Sequence, residues 1–486
     1  MKIHIPSKMF SIILLINQSA FFILLVLLFT APVLSQLPTA SEIAKNMKAG
    51  WNIVNTLEVP NSDLNAETYW GNPKVNQTLI TAVRNAGFNT IRIPCAWDSH
   101  ANKMTMVIDT AWLRRVREVV DYCYANNMYI FINCHWDNGW LENNVTVAMK
   151  DSVNKKQNAY WTQIANYFKN YDEHLLFASA NEPNVSDATG MTVLLSYHQT
   201  FIDAVRSTGG NNSSRVLIIQ CPSTDIQTTN TYMNTLPTDQ INNRLMVELH
   251  YYTPWNFCGM SSDASWGNMF YFWGNNYHST TNPSRNATWG EESTVESYFQ
   301  LMKTKFFDKG IPIILGEYGA IKRTSLTGDD LALHIASREY WFQYITNAAL
   351  RYGMIPFCWD NGIFDRNNGA VLDQGTLDAI MRGAIVATSV QTSKKSESNA
   401  TAEYVTAMPN PVRASTTIQF SIRTNARTDI MIYNILGQQV ARFNDLPIGT
   451  GLQSVAWNPA TLTNGIYFIV VHSGNRMLTN KIVLVR

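Results

Sequence analysis

The chain has 486 residues, with 37 Lys and Arg against 36 Asp and Glu and a formal net charge of +1. That balance gives no electrostatic case for a nucleic-acid partner or an anionic membrane surface, and the length suits one large domain followed by a smaller one. Only 15% of residues are charged while 12% are aromatic, including 14 Trp and 21 Tyr, a composition that fits a neutral, ring-shaped ligand or simply a large core.

Residues 1–35 read as a signal peptide. Lys2 and Lys8 precede apolar stretches at 12–16 and 21–29, and Ala31-Pro32-Val33-Leu34-Ser35 offers small residues for cleavage before Gln36. An uncleaved signal anchor is the alternative. No later stretch approaches the roughly 20 apolar residues that a transmembrane helix needs.

From Gly50 to Trp359 short apolar runs recur, at 50–57, 90–97, 129–136, 175–182, 216–221, 245–252, 311–318 and 354–359. Several are apolar almost throughout, as strands covered on both faces must be. Helical segments separate them. The clearest is 111–124, with Trp112, Val116, Val119 and Val120 at helical spacing, and 333–350 precedes the last strand. Eight strands alternating with helices predict an α/β domain over residues 36–388. A closed (β/α)8 TIM barrel accounts for the count and collects functional groups at the C-terminal strand ends. An open doubly wound sheet is the alternative, but no Gly-rich phosphate turn follows an early strand.

Two of these runs end in a glutamate: Ala178-Ser179-Ala180-Asn181-Glu182-Pro183 and Ile314-Leu315-Gly316-Glu317-Tyr318-Gly319. A carboxylate at the end of an apolar run is costly to bury unless something satisfies it. Glycoside hydrolysis needs such a pair, one to protonate the leaving oxygen and one to attack or to activate water. The other ends carry Arg92, His135, Asn181, His250, Tyr252 and Trp359, groups suited to one sugar site if a barrel brings them together. A metal site from His135, Glu248 and His250 is the rival. It is disfavoured because Gly50–Leu57 lacks the paired histidines with which barrel metallohydrolases usually begin. Cys95, Cys134, Cys221 and Cys358 lie in or at the ends of strand-like runs, so the six cysteines read as buried thiols rather than a disulfide framework.

Residues 389–403 contain Ser-Lys-Lys-Ser-Glu-Ser-Asn and read as a linker. After it, alternating stretches at 416–422, 429–436, 439–443, 452–457, 465–472 and 478–485 predict a small all-β sandwich over 404–486.

Taken as an ordered set, Gly50-Trp51-Asn52-Ile53-Val54-Asn55-Thr56-Leu57, Arg92, His135-Trp136-Asp137-Asn138-Gly139-Trp140, Asn181-Glu182-Pro183, His250-Tyr251-Tyr252 and Gly316-Glu317-Tyr318-Gly319 resemble glycoside hydrolase family 5, nearest its cellulase-type endoglucanases. The resemblance implies a retaining endo-β-1,4-glucanase acting on a β-glucan polysaccharide, with Glu182 as acid/base and Glu317 as nucleophile. It also implies that Asn181 holds the 2-hydroxyl and that Arg92 and Tyr252 flank the nucleophile. His135 and His250 would line the cleaved sugar's subsite, and Trp359 would be its stacking platform, with Trp51 or Trp140 beside it. No cofactor and no metal are expected. Trp136 stands where many such cellulases have a second histidine, which leaves the preferred glucan open, and β-mannan, xyloglucan or mixed-linkage glucan could replace cellulose as the substrate because subsite loops set that choice. A non-catalytic glycan-binding protein on a decayed barrel is the alternative from another class, and the intact carboxylates argue against it. The roles require Glu317 ionised and Glu182 protonated near neutral pH.

The tail motifs Pro409-Asn410-Pro411, Ile432-Tyr433-Asn434-Ile435-Leu436-Gly437-Gln438, Asn464-Gly465-Ile466-Tyr467 and Lys481-Ile482-Val483-Leu484-Val485-Arg486 resemble the C-terminal sorting domain of the type IX secretion system. The alternative is a carbohydrate-binding sandwich, but Tyr433, Trp457 and Tyr467 fit core positions better than an exposed aromatic row. This resemblance implies the type IX secretion machinery as a partner and a secreted or outer-membrane surface location. The enzyme itself is expected to be a monomer.

Overall fold

The computed structural model describes residues 36–390 and most of 404–485, leaving out 409, 422–426, 435–436, 447–451 and 475. The expected signal peptide and most of the expected linker lie outside the described residues. The chain divides into two compact units on either side of Ser393.

In the first unit eight parallel strands close into a barrel in sequential order. They are β1 (Gly50–Asn52), β2 (Thr90–Ile93), β3 (Tyr129–Asn133), β4 (Leu175–Ala178), β5 (Leu217–Gln220), β6 (Leu245–Tyr251), β7 (Ile313–Tyr318) and β8 (Met354–Cys358). Closure is direct, since β1 pairs with β8 through Gly50 opposite Phe357 and Trp51 opposite Cys358. All eight expected strands are present, shorter than the apolar runs that announced them: seven of the runs continue into the C-terminal loop, and the seventh in order, 311–318, loses its first two residues instead. The helices Thr110–Ala125 and Gly328–Arg351 contain the two expected from periodicity. The second is capped by Tyr352, and Gly353 takes φ +77° before β8 begins, a left-handed conformation that glycine adopts without a Cβ clash.

Strand alternation sorts the side chains. Outward residues such as Ile130, Ile132, Val247, Leu249 and Leu315 join the large core under the helices. Inward residues Phe131, Leu176, Ile218, Met246, Ile314 and Ile355 fill the lower barrel. A helix that was not foreseen, Ala40–Asn46, packs Ala40, Ile43 and Met47 into the same cluster. Its start is fixed by a capping box: the Glu42 amide donates to Thr39 Oγ1 at 3.3 Å and the Thr39 amide to Glu42 Oε2 at 2.7 Å. Two residues further along the strands the interior turns polar, and Asn52, Arg92, Asn133, Gln220 and Glu248 are all fully buried there.

The second unit has a three-stranded sheet, ordered β13-β10-β9, and a four-stranded sheet, ordered β12-β11-β14-β15. The strands are β9 (Tyr404–Met408), β10 (Thr416–Ser421), β11 (Thr428–Asn434), β12 (Gln439–Leu446), β13 (Leu452–Trp457), β14 (Gly465–Ser473) and β15 (Arg476–Leu484). The six expected strands are there, and β9 is an addition. Val405, Ile418, Phe420, Ile430, Ile432, Ile469 and Ile482 share one core with Trp457 and Tyr467, whose rings meet edge-on at 6.2 Å. Tyr433 is half-buried. All six cysteines of the chain are buried free thiols. Among the described residues no helix is long and apolar enough to cross a membrane.

Candidate active site

The polar layer inside the barrel is organised by one guanidinium. Arg92 faces inward from β2 and is fully buried, so its charge must be met by neighbours. Nη1 donates to Glu317 Oε1 at 2.7 Å and to Asn52 Oδ1 at 3.1 Å, Nη2 donates to Asn181 Oδ1 at 2.7 Å, and Nε lies 3.0 Å from Glu248 Oε1. Charge-assisted bonds of this kind give orientation as well as energy. Groups in or just after four strands, β1, β4, β6 and β7, are thereby gathered around one side chain.

Glu317 reaches the cleft because β7 is irregular. Ile314 faces inward, and unbroken alternation would send Glu317 outward with Leu315. The register instead steps from Leu249 opposite Leu315 to His250 opposite Glu317, and β8 shows a similar step, so Gly316 is an extra residue. Such a bulge re-aims the side chain that follows it. Only glycine fits there, since a Cβ on residue 316 would lie 2.0 Å from Glu248 Oε1. Asn52 Nδ2 also donates to the Gly316 carbonyl at 2.9 Å. Tyr252 completes the clamp by donating to Glu317 Oε2 at 2.9 Å. Burial, and then the Glu317 charge, push the Tyr252 phenol well above its ordinary value, so it stays a donor.

Glu182 extends from the loop after β4 with its side chain 46% exposed. A carboxylate oxygen of Glu182, one of Glu317 and a ring nitrogen of His250 lie within 4.8 Å of one another. His250 Nδ1 is 2.6 Å from Glu182 Oε1 and 3.7 Å from Glu317 Oε2, while Nε2 is 3.2 Å from Glu248 Oε1. Burial opposes charge on this ring, but Glu317, Glu182 and Glu248 surround it and raise its pKa to about 9. The ring is therefore an imidazolium at neutral pH, donating from both nitrogens.

The shifts of the two carboxyl groups run opposite to those the expected roles require. Burial pushes the Glu182 acid up, but the hydrogen bond and charge of His250 outweigh it and hold the pKa below the ordinary value. Burial dominates at Glu317 and raises its pKa, with His250 and Arg92 restraining the rise. In the free protein the proton thus rests mainly on His250, and Glu182 and His250 hold one proton between them.

His135 follows β3 and is half-buried. The Asn133 amide is oriented by the Cys95 N–H, which donates to its Oδ1 at 3.2 Å, so its Nδ2 faces His135 Nδ1 at 3.2 Å. Burial, with the charges of Arg92 and His250, pushes the His135 pKa well down. It is a neutral ring with Nε2–H available as a donor. Trp359, half-buried after β8, lies nearly parallel to it, with centroids 6.2 Å apart at 15°.

Glu182, Glu317, Arg92, Asn181, His250 and Tyr252 are thus in one hydrogen-bonded constellation, with His135 and Trp359 paired beside each other. The two other expected platform residues are elsewhere. Trp51 is fully buried against Phe364 and under Arg366, because its strand neighbours Gly50 and Asn52 take the inward positions. Trp140 is buried edge-on to Tyr160 with Lys156 over its ring. Trp136, beside His135, is 42% exposed. His135, Glu248 and His250 do not form one ligand set, since Glu248 is paired with Arg92 and His135 turns Nδ1 to Asn133. Asn52 and Gln220 were missed as site residues, and Glu248 was named only as a ligand in the rival metal reading. Their signal was a polar residue inside an apolar strand, two positions from an inward apolar one.

Residues 48–365 match the family model for cellulase, glycosyl hydrolase family 5, and residues 406–485 match a secretion system C-terminal sorting domain. Endoglucanase A of Paenibacillus barcinonensis is 34% identical over 377 residues, covering 71% of this chain and 90% of that protein. A xyloglucan-specific endo-beta-1,4-glucanase of Bacteroides ovatus is 34% identical, covering 71% and 70%. Among solved structures, a GH5 xyloglucan-specific beta-1,4-glucanase from a ruminal metagenomic library, in complex with XXLG, has a TM-score of 0.67 at 42% identity, covering 72% of this chain and 96% of that one. A broad-specificity GH5-4 endoglucanase from Bacteroides salanitronis has a TM-score of 0.63 at 34% identity, covering 71% and 95%.

Proposed function

The chain belongs to glycosyl hydrolase family 5, and from that membership we propose that it is a retaining endo-β-1,4-glucanase in which Glu317 attacks and Glu182 serves as acid, then base. The observation that carries the mechanism is the closeness of the two carboxylates, whose oxygens come within 4.8 Å. Retaining enzymes place the two groups about 5–5.5 Å apart, whereas inverting ones leave about 6.5–9.5 Å for a water.

In the first step Glu317 forms a bond to the anomeric carbon while the glycosidic oxygen leaves with a proton from Glu182. That proton is drawn from the shared Glu182–His250 pair, which leaves the imidazole neutral. In the second step water attacks the same carbon, Glu317 departs as carboxylate, and the water's proton restores the pair. Arg92 and Tyr252 stabilise the Glu317 carboxylate before attack and after release. With its Oδ1 held by Arg92, Asn181 has Nδ2 for the sugar's 2-hydroxyl, and His135 Nε2–H donates to a hydroxyl of the ring stacked on Trp359.

Xyloglucan is the second reading for the substrate, favoured by the likeness to two xyloglucan-specific enzymes. The sorting domain implies a secreted or cell-surface enzyme. We further propose that residues 1–35 are removed on export and that the enzyme is a monomer. A reducing-sugar assay on cellulose derivatives, xyloglucan, mixed-linkage glucan and mannan identifies the substrate, and NMR of the first product identifies the anomer. Retention is expected. Glu317→Gln should lose at least about a thousandfold in kcat, and Glu182→Ala should keep activity only on substrates with an activated leaving group. An inverted first product, or equal loss in both variants on activated substrates, overturns the assignment.

A further inference from the structure

The loop between β6 and the helix Glu292–Lys305 carries three of the large exposed aromatic side chains of the chain. Trp255, Trp266 and Trp289 are 49%, 63% and 49% exposed. Isolated exposed apolar residues are ordinary, but a group of them at one place calls for a ligand. These three are brought together by the backbone. Gly290, next to Trp289, packs so closely on Pro254, next to Trp255, that a Cβ there would lie 2.9 Å from the proline ring. Trp266 sits in a short hairpin closed by Ala264 and Gly267, and this hairpin is tied to Asn256 by the Asn256 side chain donating to the Asn268 carbonyl at 2.7 Å. The Phe270 amide returns to the Asn256 carbonyl at 3.0 Å.

The loop is held from below. Arg323 is buried and donates to the carbonyls of Asn256 and Met260 at 2.9 Å each and of Phe270 at 3.2 Å. On the same loop Asp263 is ion-paired with Arg285 at 2.9 Å, and His278 Nε2 lies 2.8 Å from Glu291 Oε1. The aromatic group is thus preorganised on a loop that carries few charged side chains, which suits a neutral pyranose chain. It is also continuous with the reaction centre. Trp255 meets Tyr252 edge-on at 6.1 Å, and Tyr252 donates to Glu317.

The barrel order decides which end of the substrate it meets. Glu182 follows β4 and Glu317 lies in β7, so β5 and β6 occupy the arc between them. Trp359 after β8 and His135 after β3 stand on the other arc. We infer that Trp255, Trp266 and Trp289 form a stacking platform for the leaving-group half of a neutral β-glucan, with Trp255 next to the cleaved bond and the other two further out. This rests on the proposed reading that Trp359 and His135 hold the cleaved sugar.

The test compares a soluble β-glucan polymer with an aryl β-cellobioside, whose leaving group is a small phenol and reaches none of the outer platform. For Trp266→Ala, Trp255→Ala and the triple alanine variant, the ratio of kcat/KM on polymer to kcat/KM on the aryl cellobioside should fall, by at least tenfold in the triple. Trp255→Phe should recover most of the loss. An unchanged ratio, or equal loss on both substrates, overturns the assignment to the leaving-group side. Trp266 is the most exposed of the three, so Trp266→Ala keeps the test open if Trp255→Ala misfolds. Calorimetry of the Glu317→Gln variant with cellohexaose, with and without Trp266→Ala, reads the platform without turnover. Equal affinity there overturns the platform even if the wild type proves active on β-glucan, and a wild type inactive on every glucan defeats the proposed activity separately.

Discussion

At the scale of single residues the site turns on where one proton sits. His250 is enclosed by Glu182, Glu248 and Glu317, and its pKa of about 9 exceeds the ordinary value near 6.5. A group whose folded pKa is raised adds stability that is complete below the unfolded pKa and is lost as pH rises through the folded one. Stability should therefore fall between about pH 6.5 and pH 9, by roughly 3 kcal/mol at most. Urea unfolding at steps across that range measures it. In His250→Gln the decline should be largely absent, and the alkaline limb of kcat/KM, which reports the proton shared with Glu182, should move to lower pH. The same decline in the variant would assign it to other groups.

At the scale of elements the informative feature is the bulge in β7. Gly-Glu-Tyr-Gly was legible as a motif, but its two glycines are not equivalent in the fold. A Cβ at Gly316 meets Glu248 Oε1 at 2.0 Å, whereas at Gly319 the nearest atom is the Asn361 side-chain amide at 3.3 Å. Gly316→Ala must push Glu248 away from Arg92 or flatten the bulge, and either movement turns Glu317 out of line. Overpacking of this kind costs about 1–3 kcal/mol. The expected outcome is a lower melting temperature and a loss of at least about a hundredfold in kcat, since small misplacements cost about that much. Gly319→Ala should stay within a few-fold of wild type. Similar kinetics for the two variants would show that the bulge does not position Glu317.

At the scale of the whole molecule the barrel and the sandwich are separate compact units with separate cores. Every residue of the candidate site lies before Asp360, so a truncated chain spanning residues 36–390 should keep full activity on soluble substrate. In the native host a chain that keeps residues 1–35 but ends at residue 390 should remain in the periplasm, measured by fractionation and activity staining. Normal export of the truncated enzyme would argue against the sorting role of 406–485, and selective loss on insoluble cellulose would assign the sandwich to substrate binding instead.

The amino-acid sequence by itself determined the alternation of eight strands with helices, the two glutamates, and most of the groups around them. Period and apolar content are local properties, and convergence at the C-terminal ends follows from closing parallel strands. Local pattern could not say that Trp51 faces the helices, because the inward or outward choice depends on register with β2 and β8. Nor could it show that Gly316 is an extra residue, which is defined only against neighbouring strands. The charge states were likewise decided in three dimensions. A carboxylate's pKa follows from its neighbours, and His250, 68 residues away in the chain, ends up 2.6 Å from Glu182 and keeps the proton that the sequence alone would have placed on the glutamate.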